Sequence, residues 1–345
     1  MIDEKLYSDI KEVVNKRPEI NKIWKQFKNE RKTKIILYTF LSVFFGAFVF
    51  LAFMSNIIDM NNEIIFFLIG MFLFLGFLAF LIASIVVYFK LKNINVRLNK
   101  IVNEKLDLEL IYFNFFNSSA NLKNCSDFKM NIISYYPKIV DIDGSYKVYL
   151  AHRKVPIKED HYNSLEFTYK NRKVTFIIEH PKNFIERHYY TSNGRSGCSR
   201  TVTPLSMTVL YVTDDKYVKD FKSLRIERKK GNLKGDYKSE SIVFNDRYST
   251  NLTMNNIVAA KFLTPYVLDN LANLNQKDFF SLGVNKDIYV EKATTKYHIL
   301  PFGIFDFYSY LNEKNLATVI CKEMISQLNL VKNSLEYVSF LEKIK

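Results

Sequence analysis

The chain has few of the residues that punctuate or cross-link a fold. It holds ten Gly and seven Pro among 345 residues, with 48% hydrophobic content, which excludes a collagen-like, low-complexity or disordered polymer. Three Cys, at 125, 198 and 321, are odd in number and widely spaced, so free thiols are expected rather than a disulfide framework. Charge is missing in two places: no Asp, Glu, Lys, Arg or His occurs from Ile35 to Ile58 or from Ile64 to Phe89. Catalytic signatures are missing too. There is no Gly-x-Ser-x-Gly elbow, no His-Glu-x-x-His pair and no Gly-Lys-Ser/Thr phosphate loop. His180, His188 and Cys198 are neighbours in sequence but match no zinc spacing. No catalytic residue, cofactor-binding residue or metal ligand is therefore expected, and an enzyme reading has no named residue behind it.

The two uncharged stretches are what the chain has in excess. A hydrocarbon core of about 30 Å takes roughly 20 apolar residues as a helix, and both stretches are long enough. The expected organisation is an amphipathic helical segment over 1–33 and a first membrane span over 34–58. A short external loop over 59–63, Asp59-Met60-Asn61-Asn62-Glu63, leads to a second span over 64–89. A helical stalk over 90–118 and a cytosolic α+β domain over 119–345, ending in a long helix, complete it. The loop carries two acids and no base, whereas Lys25, Lys28, Arg31, Lys32, Lys34, Lys90, Lys92, Arg97 and Lys100 flank the outer ends. This bias places both termini on the cytoplasmic side of a cell membrane. No ionisable group interrupts either span, which argues against a self-contained transporter. Small residues at Ser42 and Gly46, and at Gly76, Ala79 and Ala83, would let the hairpin pack on itself or form a homo-oligomer.

The formal net charge is +14, and most of it follows the second span. Juxtamembrane Lys and Arg suit anionic lipid headgroups. No nucleic-acid-binding module is recognisable, so nucleic acid is set aside as a partner.

Residues 1–33 carry an apolar stripe, Leu6, Ile10, Val13 and Val14, broken at Pro18 and resumed by Ile20, Ile23, Trp24 and Phe27. Trp24 would sit either at headgroup level or against the domain. Leu91, Ile94, Leu98, Ile101 or Val102, and Leu106 continue a helical period beyond the second span. Further on, short β-branched and aromatic runs predict strands at Ile132–Tyr136, Tyr146–Ala151, Ser164–Tyr169, Lys173–Glu179 and Leu205–Val212. Turns are predicted at Asp141–Ser145 and Lys170–Lys173. Helices are predicted at Asn255–Asn275 and Glu313–Ile344, around a strand pair at about 279–301. The fold class is a two-helix transmembrane hairpin followed by a mainly antiparallel sheet plus helices. The last helix carries Leu316, Ile320, Met324, Leu328, Val331, Leu335 and Val338 on one stripe, read as core docking.

The most glycine-rich segment, Thr191–Thr201, sets Gly194 and Gly197 among Arg195, Arg200 and several hydroxyls. An anion would be welcome there. The plainer reading is a hairpin tip.

From Ser241 to Leu274 one further pattern stands out: Phe244-Asn245 with Tyr248, then Ala260-Lys261, then Leu263-Thr264-Pro265. It resembles the Phe-Asn-x-x-Phe, Ala-Arg, Leu-Thr-Pro signature of a bacterial family of uncharacterised two-span membrane proteins with a cytosolic domain of unknown function. Tyr248 and Lys261 depart from that signature, and Asn255 and Asn256 stand where the family has an acid. The resemblance implies the layout already read and no activity. By themselves the residues read as structural: Phe244 and Tyr248 at an amphipathic strand end, Ala259 and Ala260 for close packing, Thr264-Pro265 as a helix cap. The expected function is recruitment of a protein partner to the cytoplasmic membrane face. A membrane-associated enzyme on an anionic substrate, or an accessory subunit of a transport or envelope complex, is the alternative.

Overall fold

The computed structural model describes residues 4–55, 63–118, 125–136, 139–152, 162–192, 194–229, 233–274, 279–294, 299–308 and 315–336. They fall into two compact units: Glu12–Leu106, and Met1–Lys11 together with Asp107–Lys345.

Helix α1 (Glu4–Asn15) buries Leu6, Ile10 and Val14 at helical spacing. It stops where the Arg17 amide donates to the Val14 carbonyl at 3.2 Å, and Pro18 opens α2 (Pro18–Ser55). A proline is tolerated there because a first-turn amide has no helical acceptor. Helix α3 runs from Glu63 to Lys105. The pair is antiparallel, since Phe40 and Phe44 both meet Phe80, at 5.2 and 5.3 Å, and Lys34 lies 5.6 Å over the Tyr88 ring. Gly76 faces Phe44, whereas Gly46 faces open space. Asp59–Asn62, the expected loop, lie outside the described residues. Both helices are long enough to cross a membrane, and each holds an apolar stretch to do so, with mean hydropathy of 2.4 and 2.7 over its 18 most apolar consecutive residues. Their apolar stretches turn large side chains outward; Phe67 and Phe72 are each 71% exposed. Outside those stretches the apolar stripe turns inward. Ile20, Ile23, Trp24 and Phe27 are buried on α2, as are Leu91, Ile94, Leu98 and Val102 on α3. Trp24 stacks on Phe27 with ring centroids 5.8 Å apart. Helix α3 ends before Asp107, whose carboxylate accepts from the Leu110 amide at 3.0 Å and so starts a new helix.

In the larger unit the elements follow in this order: α4 (Leu108–Ser118), β1 (Cys125–Asn131), β2 (Val140–Asp143), α5 (Tyr146–His152), β3 (Ser164–Tyr169), β4 (Arg172–Ile178), β5 (Lys182–Ser192) and β6 (Arg195–Thr213). Then come α6 (Asp215–Phe221), β7 (Arg225–Arg228), α7 (Ile242–Arg247), β8 (Tyr248–Thr250), α8 (Ile257–Phe262), α9 (Pro265–Asn273), β9 (Phe279–Val284), β10 (Ile288–Thr294) and α10 (Leu316–Glu336). The strands form one mainly antiparallel sheet in the order β1-β3-β4-β6-β10-β9-β7-β8. Strand β5 pairs with the far half of β6, and β2 lies parallel to β5.

Strand alternation divides the sheet into two faces. One face is apolar: Phe167, Val174, Phe176, Leu210, Val212, Val290, Leu282 and Ile226 are buried on it. Phe116 of α4 meets Phe167 at 5.6 Å, and Phe302 meets both Phe176 and Tyr112 at 5.9 Å. Helix α10 buries Leu316, Ile320, Met324, Leu328, Val331 and Leu335, the expected stripe. Its buried Gln327 accepts from the Tyr112 hydroxyl at 2.5 Å and donates to the Leu300 and Pro301 carbonyls. Burial pushes the Tyr112 hydroxyl well above the usual phenol range.

Four expectations change in the structure. Tyr146–Ala151 is helical, not a strand. Tyr146, Tyr149 and Leu150 recur at helical spacing and all pack against Phe184, while Val148 points out. Ile132–Tyr136 is not a strand either; the Asn163 carboxamide accepts from the Ile133 and Ser134 amides at 2.8 and 3.0 Å, taking donors a ladder would use. The strand on that flank is β1. The helix expected over Asn255–Asn275 is two helices, because Thr264 and Pro265 restart the chain. Asp141–Asp143 belongs to β2, and only Gly144, at φ +116, makes the turn. Glu313, Lys314 and residues 337–344 of the expected last helix lie outside the described residues.

Candidate functional site: a two-stranded ribbon

Strands β5 and β6 pair over eleven rows, from Lys182↔Leu205 to Ser192↔Arg195. Their hydroxyl-rich, β-branched and aromatic composition suits an extended ladder. The first rows belong to the body. Phe184, Leu205 and Met207 form a buried cluster with Leu150 of α5, and β2 flanks β5 from Lys182 to Ile185. Beyond Ile185 the third strand ends. From Arg187 to Ser192, and for most of the facing stretch of β6, side chains are exposed on both sides. Tyr189 is 77% and Tyr190 56% exposed. The Tyr190 ring lies across Gly197, where a Cβ would come within 2.6 Å of it, so only glycine admits this packing.

The sequence-predicted anion loop is the end of this ribbon. Gly194, at φ +74, takes the turn, and Gly197 sits under Tyr190. Arg195 and Arg200 occupy positions of opposite parity on β6. Arg200 reaches Asp141 of β2 at 3.9 Å, and Arg187, its cross-strand neighbour, reaches Asp143 at 3.3 Å. Asn183 donates to the same Asp141 at 3.1 Å. The β2 acids and the ribbon arginines therefore line one face. Cys198, opposite Tyr189, is exposed, Cys125 and Cys321 are buried, and none of the three forms a disulfide. Burial pushes the Cys125 thiol up to about 12, which keeps it protonated and unreactive.

The family-like residues act within the fold. Phe244 and Tyr248 are buried with ring centroids 5.3 Å apart, but Phe244 is on helix α7 and only Tyr248 begins a strand. The Tyr248 hydroxyl donates to the Leu271 carbonyl at 3.0 Å. Asn245 clamps Ser239, accepting from its amide at 2.9 Å and donating to its carbonyl at 2.7 Å. Ala259 is fully buried, but Ala260 and Lys261 are exposed, so close packing rests on Ala259 alone. Leu263 is buried, and Thr264 caps α9 by accepting from the Val267 amide, with Pro265 in the first turn.

Sequence reasoning missed the second face of the sheet. Glu227, Ser281, Tyr289 and Glu291 lie there, all buried, with Arg225 paired to Glu227. Burial raises the Glu227 carboxyl above its usual range, against the opposing pull of Arg225. Burial likewise pushes the Tyr289 phenol up to about 12, with Arg225 opposing. The signal was present as polar residues at alternate positions in Ile288–Glu291 and Arg225–Glu227, but alternation alone reads as a solvent-facing side. A groove of about 410 Å³ in the smaller unit is lined by Glu19, Lys22, Ile23, Gln26, Arg97 and Ile101.

Comparison with protein-family models, with curated proteins and with solved structures returns no match for this chain.

Proposed function

We propose that the protein is a membrane-anchored recruitment module. Helices α2 and α3 cross a cell membrane, the basic flanks hold both termini on the cytoplasmic side, and the β5–β6 ribbon engages a protein partner there. The ribbon carries this reading. A two-stranded ladder without a covering layer is marginal in water, yet this one extends seven rows past its third strand and displays two tyrosines. Aromatic side chains displayed with arginine are the residue types that anchor protein interfaces. The anchor rests on the outward-facing apolar surface of α2 and α3, which suits lipid. The membrane anchor also agrees with the layout of the family that the Phe244–Pro265 pattern resembles.

The test is in-cell crosslinking, then affinity purification from native membranes, with the full chain and with a variant in which Asn-Gly replaces residues 187–200. A partner recovered at stoichiometric yield with the full chain and lost with the shortened ribbon supports recruitment. A partner retained by the shortened chain overturns the role of the ribbon.

A further inference from the structure

Resting on that reading, we infer that the open edge of β5 binds an extended segment of a partner protein in which acidic and apolar residues alternate, laid parallel to β5.

The edge is defined by main-chain geometry. The Val140 amide donates to the Pro181 carbonyl at 3.2 Å, and the Gly144 amide to the Ile185 carbonyl at 2.8 Å. Main-chain groups of alternate residues point to the same side of a strand. Pro181, Asn183 and Ile185 therefore face β2, and Arg187, Tyr189 and Thr191 continue that line. Among the described residues no strand pairs with these three on that side. The line is open because Gly144, at φ +116, turns the chain away into α5. A bare edge of this kind is a template for strand addition.

The protein also contains a sample of what the edge accepts. Strand β2 reads Val140-Asp141-Ile142-Asp143, an alternation of apolar and acidic residues. Its apolar Ile142 packs toward the Phe184 cluster. Its acids lie on the opposite face and reach forward: Asp141 to Asn183 and Arg200, Asp143 to Arg187. A segment seated one row beyond β2 would repeat the arrangement. Its acids would meet Arg187 and Arg200, and its apolar residues would lie beside Tyr190, on the side Phe184 occupies at the base. The ion pairs now present leave both partners more than half exposed. Exposed pairs hold weakly, so both guanidiniums stay free to share a second carboxylate. Main-chain bonds supply affinity in this mode, and alternate side chains supply the choice of partner.

The probe is a fluorescein-labelled peptide, Val-Asp-Ile-Asp repeated twice, titrated by fluorescence anisotropy with the full chain in lipid nanodiscs. Saturable binding is expected. It should weaken at least tenfold when the peptide is N-methylated along its bonding edge, and to a similar degree when Lys replaces each Asp. Arg187→Ala with Arg200→Ala should weaken it at least tenfold. Tyr189→Pro removes one outward amide and should weaken binding more than Tyr189→Ala does. Absence of binding by the full chain overturns the inference, as does equal binding of the N-methylated or the Lys peptide. The N-methylated arm leaves the protein unaltered, so an unfolded variant cannot imitate a positive result. A natural partner lost with the shortened ribbon, combined with no peptide binding, refutes strand addition and leaves recruitment standing. A partner kept by the shortened ribbon refutes recruitment itself.

Discussion

The two ends of the β5–β6 ladder share one pairing pattern and differ in everything around it. At the base, Phe184 is buried under α5, β2 adds a third strand, and Met207 and Ala293 extend the cluster across the sheet. At the tip, the same two strands expose side chains on both faces, and among the described residues no strand pairs with the outer edge of β5. The contrast teaches that hydrogen-bonded rows alone do not make a core. Stability comes from the apolar area a ladder can cover, and rows without cover serve another end.

Mutations can break this contrast or sharpen it. The full chain in detergent, on a Cys198→Ser background, provides the assay: Cys125 and Cys321 are buried, so a thiol-reactive dye reports unfolding. The largest effect is expected for Phe184→Ala, which should cost about 3–5 kcal/mol by leaving a cavity under α5. Tyr112→Phe removes the hydroxyl that donates to the buried Gln327 amide, and should cost about 1–3 kcal/mol. Thr264→Ala, which removes the α9 cap, should cost about 1 kcal/mol. Tyr189→Ala and Arg200→Ala should shift stability by less than about 0.5 kcal/mol, as exposed positions do. If either ribbon variant destabilised as much as Phe184→Ala, the tip would be part of the body and the contrast would fail.

Acidity gives a subtler test. Burial raises the Glu227 carboxyl in the folded protein above 4.5, its ordinary value. As pH rises from 4.5 toward the folded value, the unfolded chain gives up this proton first, so the group's contribution to stability declines across that window. Glu227→Gln should flatten this part of the profile, and the measurement is the difference in unfolding midpoint between the two chains as pH is stepped. Equal slopes in both chains would remove Glu227 as a cause.

Much of the architecture is legible in the sequence, for reasons that differ by element. The apolar stretches of α2 and α3 show because no charge interrupts them, and α10 because six of its apolar positions repeat at helical spacing. Strands β3 and β4 show because Lys170 and Asn171 form a two-residue turn, with φ 49 and 62, between β-rich runs. Helix α5 does not show: Tyr146, Val148 and Leu150 fit a strand as Tyr146, Tyr149 and Leu150 fit a helix, and Phe184, distant in sequence, decides. The length of the ribbon does not show either. The stretch Thr191–Thr201 holds enough Gly and Ser to read as a loop, and only pairing with β5 reveals β6 starting at Arg195. The buried polar residues of the second face were hidden because a sequence gives alternation but not what covers it.

One feature of the smaller unit has a mechanical side. Helix α3 is continuous over 43 residues, about 64 Å at 1.5 Å per residue. A helix of that length is a shaft with a fixed angular phase. One Ala inserted after Phe89 would turn the rest of α3 by about 100° about the helix axis, whereas seven would restore the phase to within about 20°. Within the smaller unit, the buried stripe of Leu91, Ile94, Leu98 and Val102 is thereby held at a fixed phase to the apolar stretch that precedes it. A series of one to seven inserted alanines would read that phase as a periodic gain and loss of function.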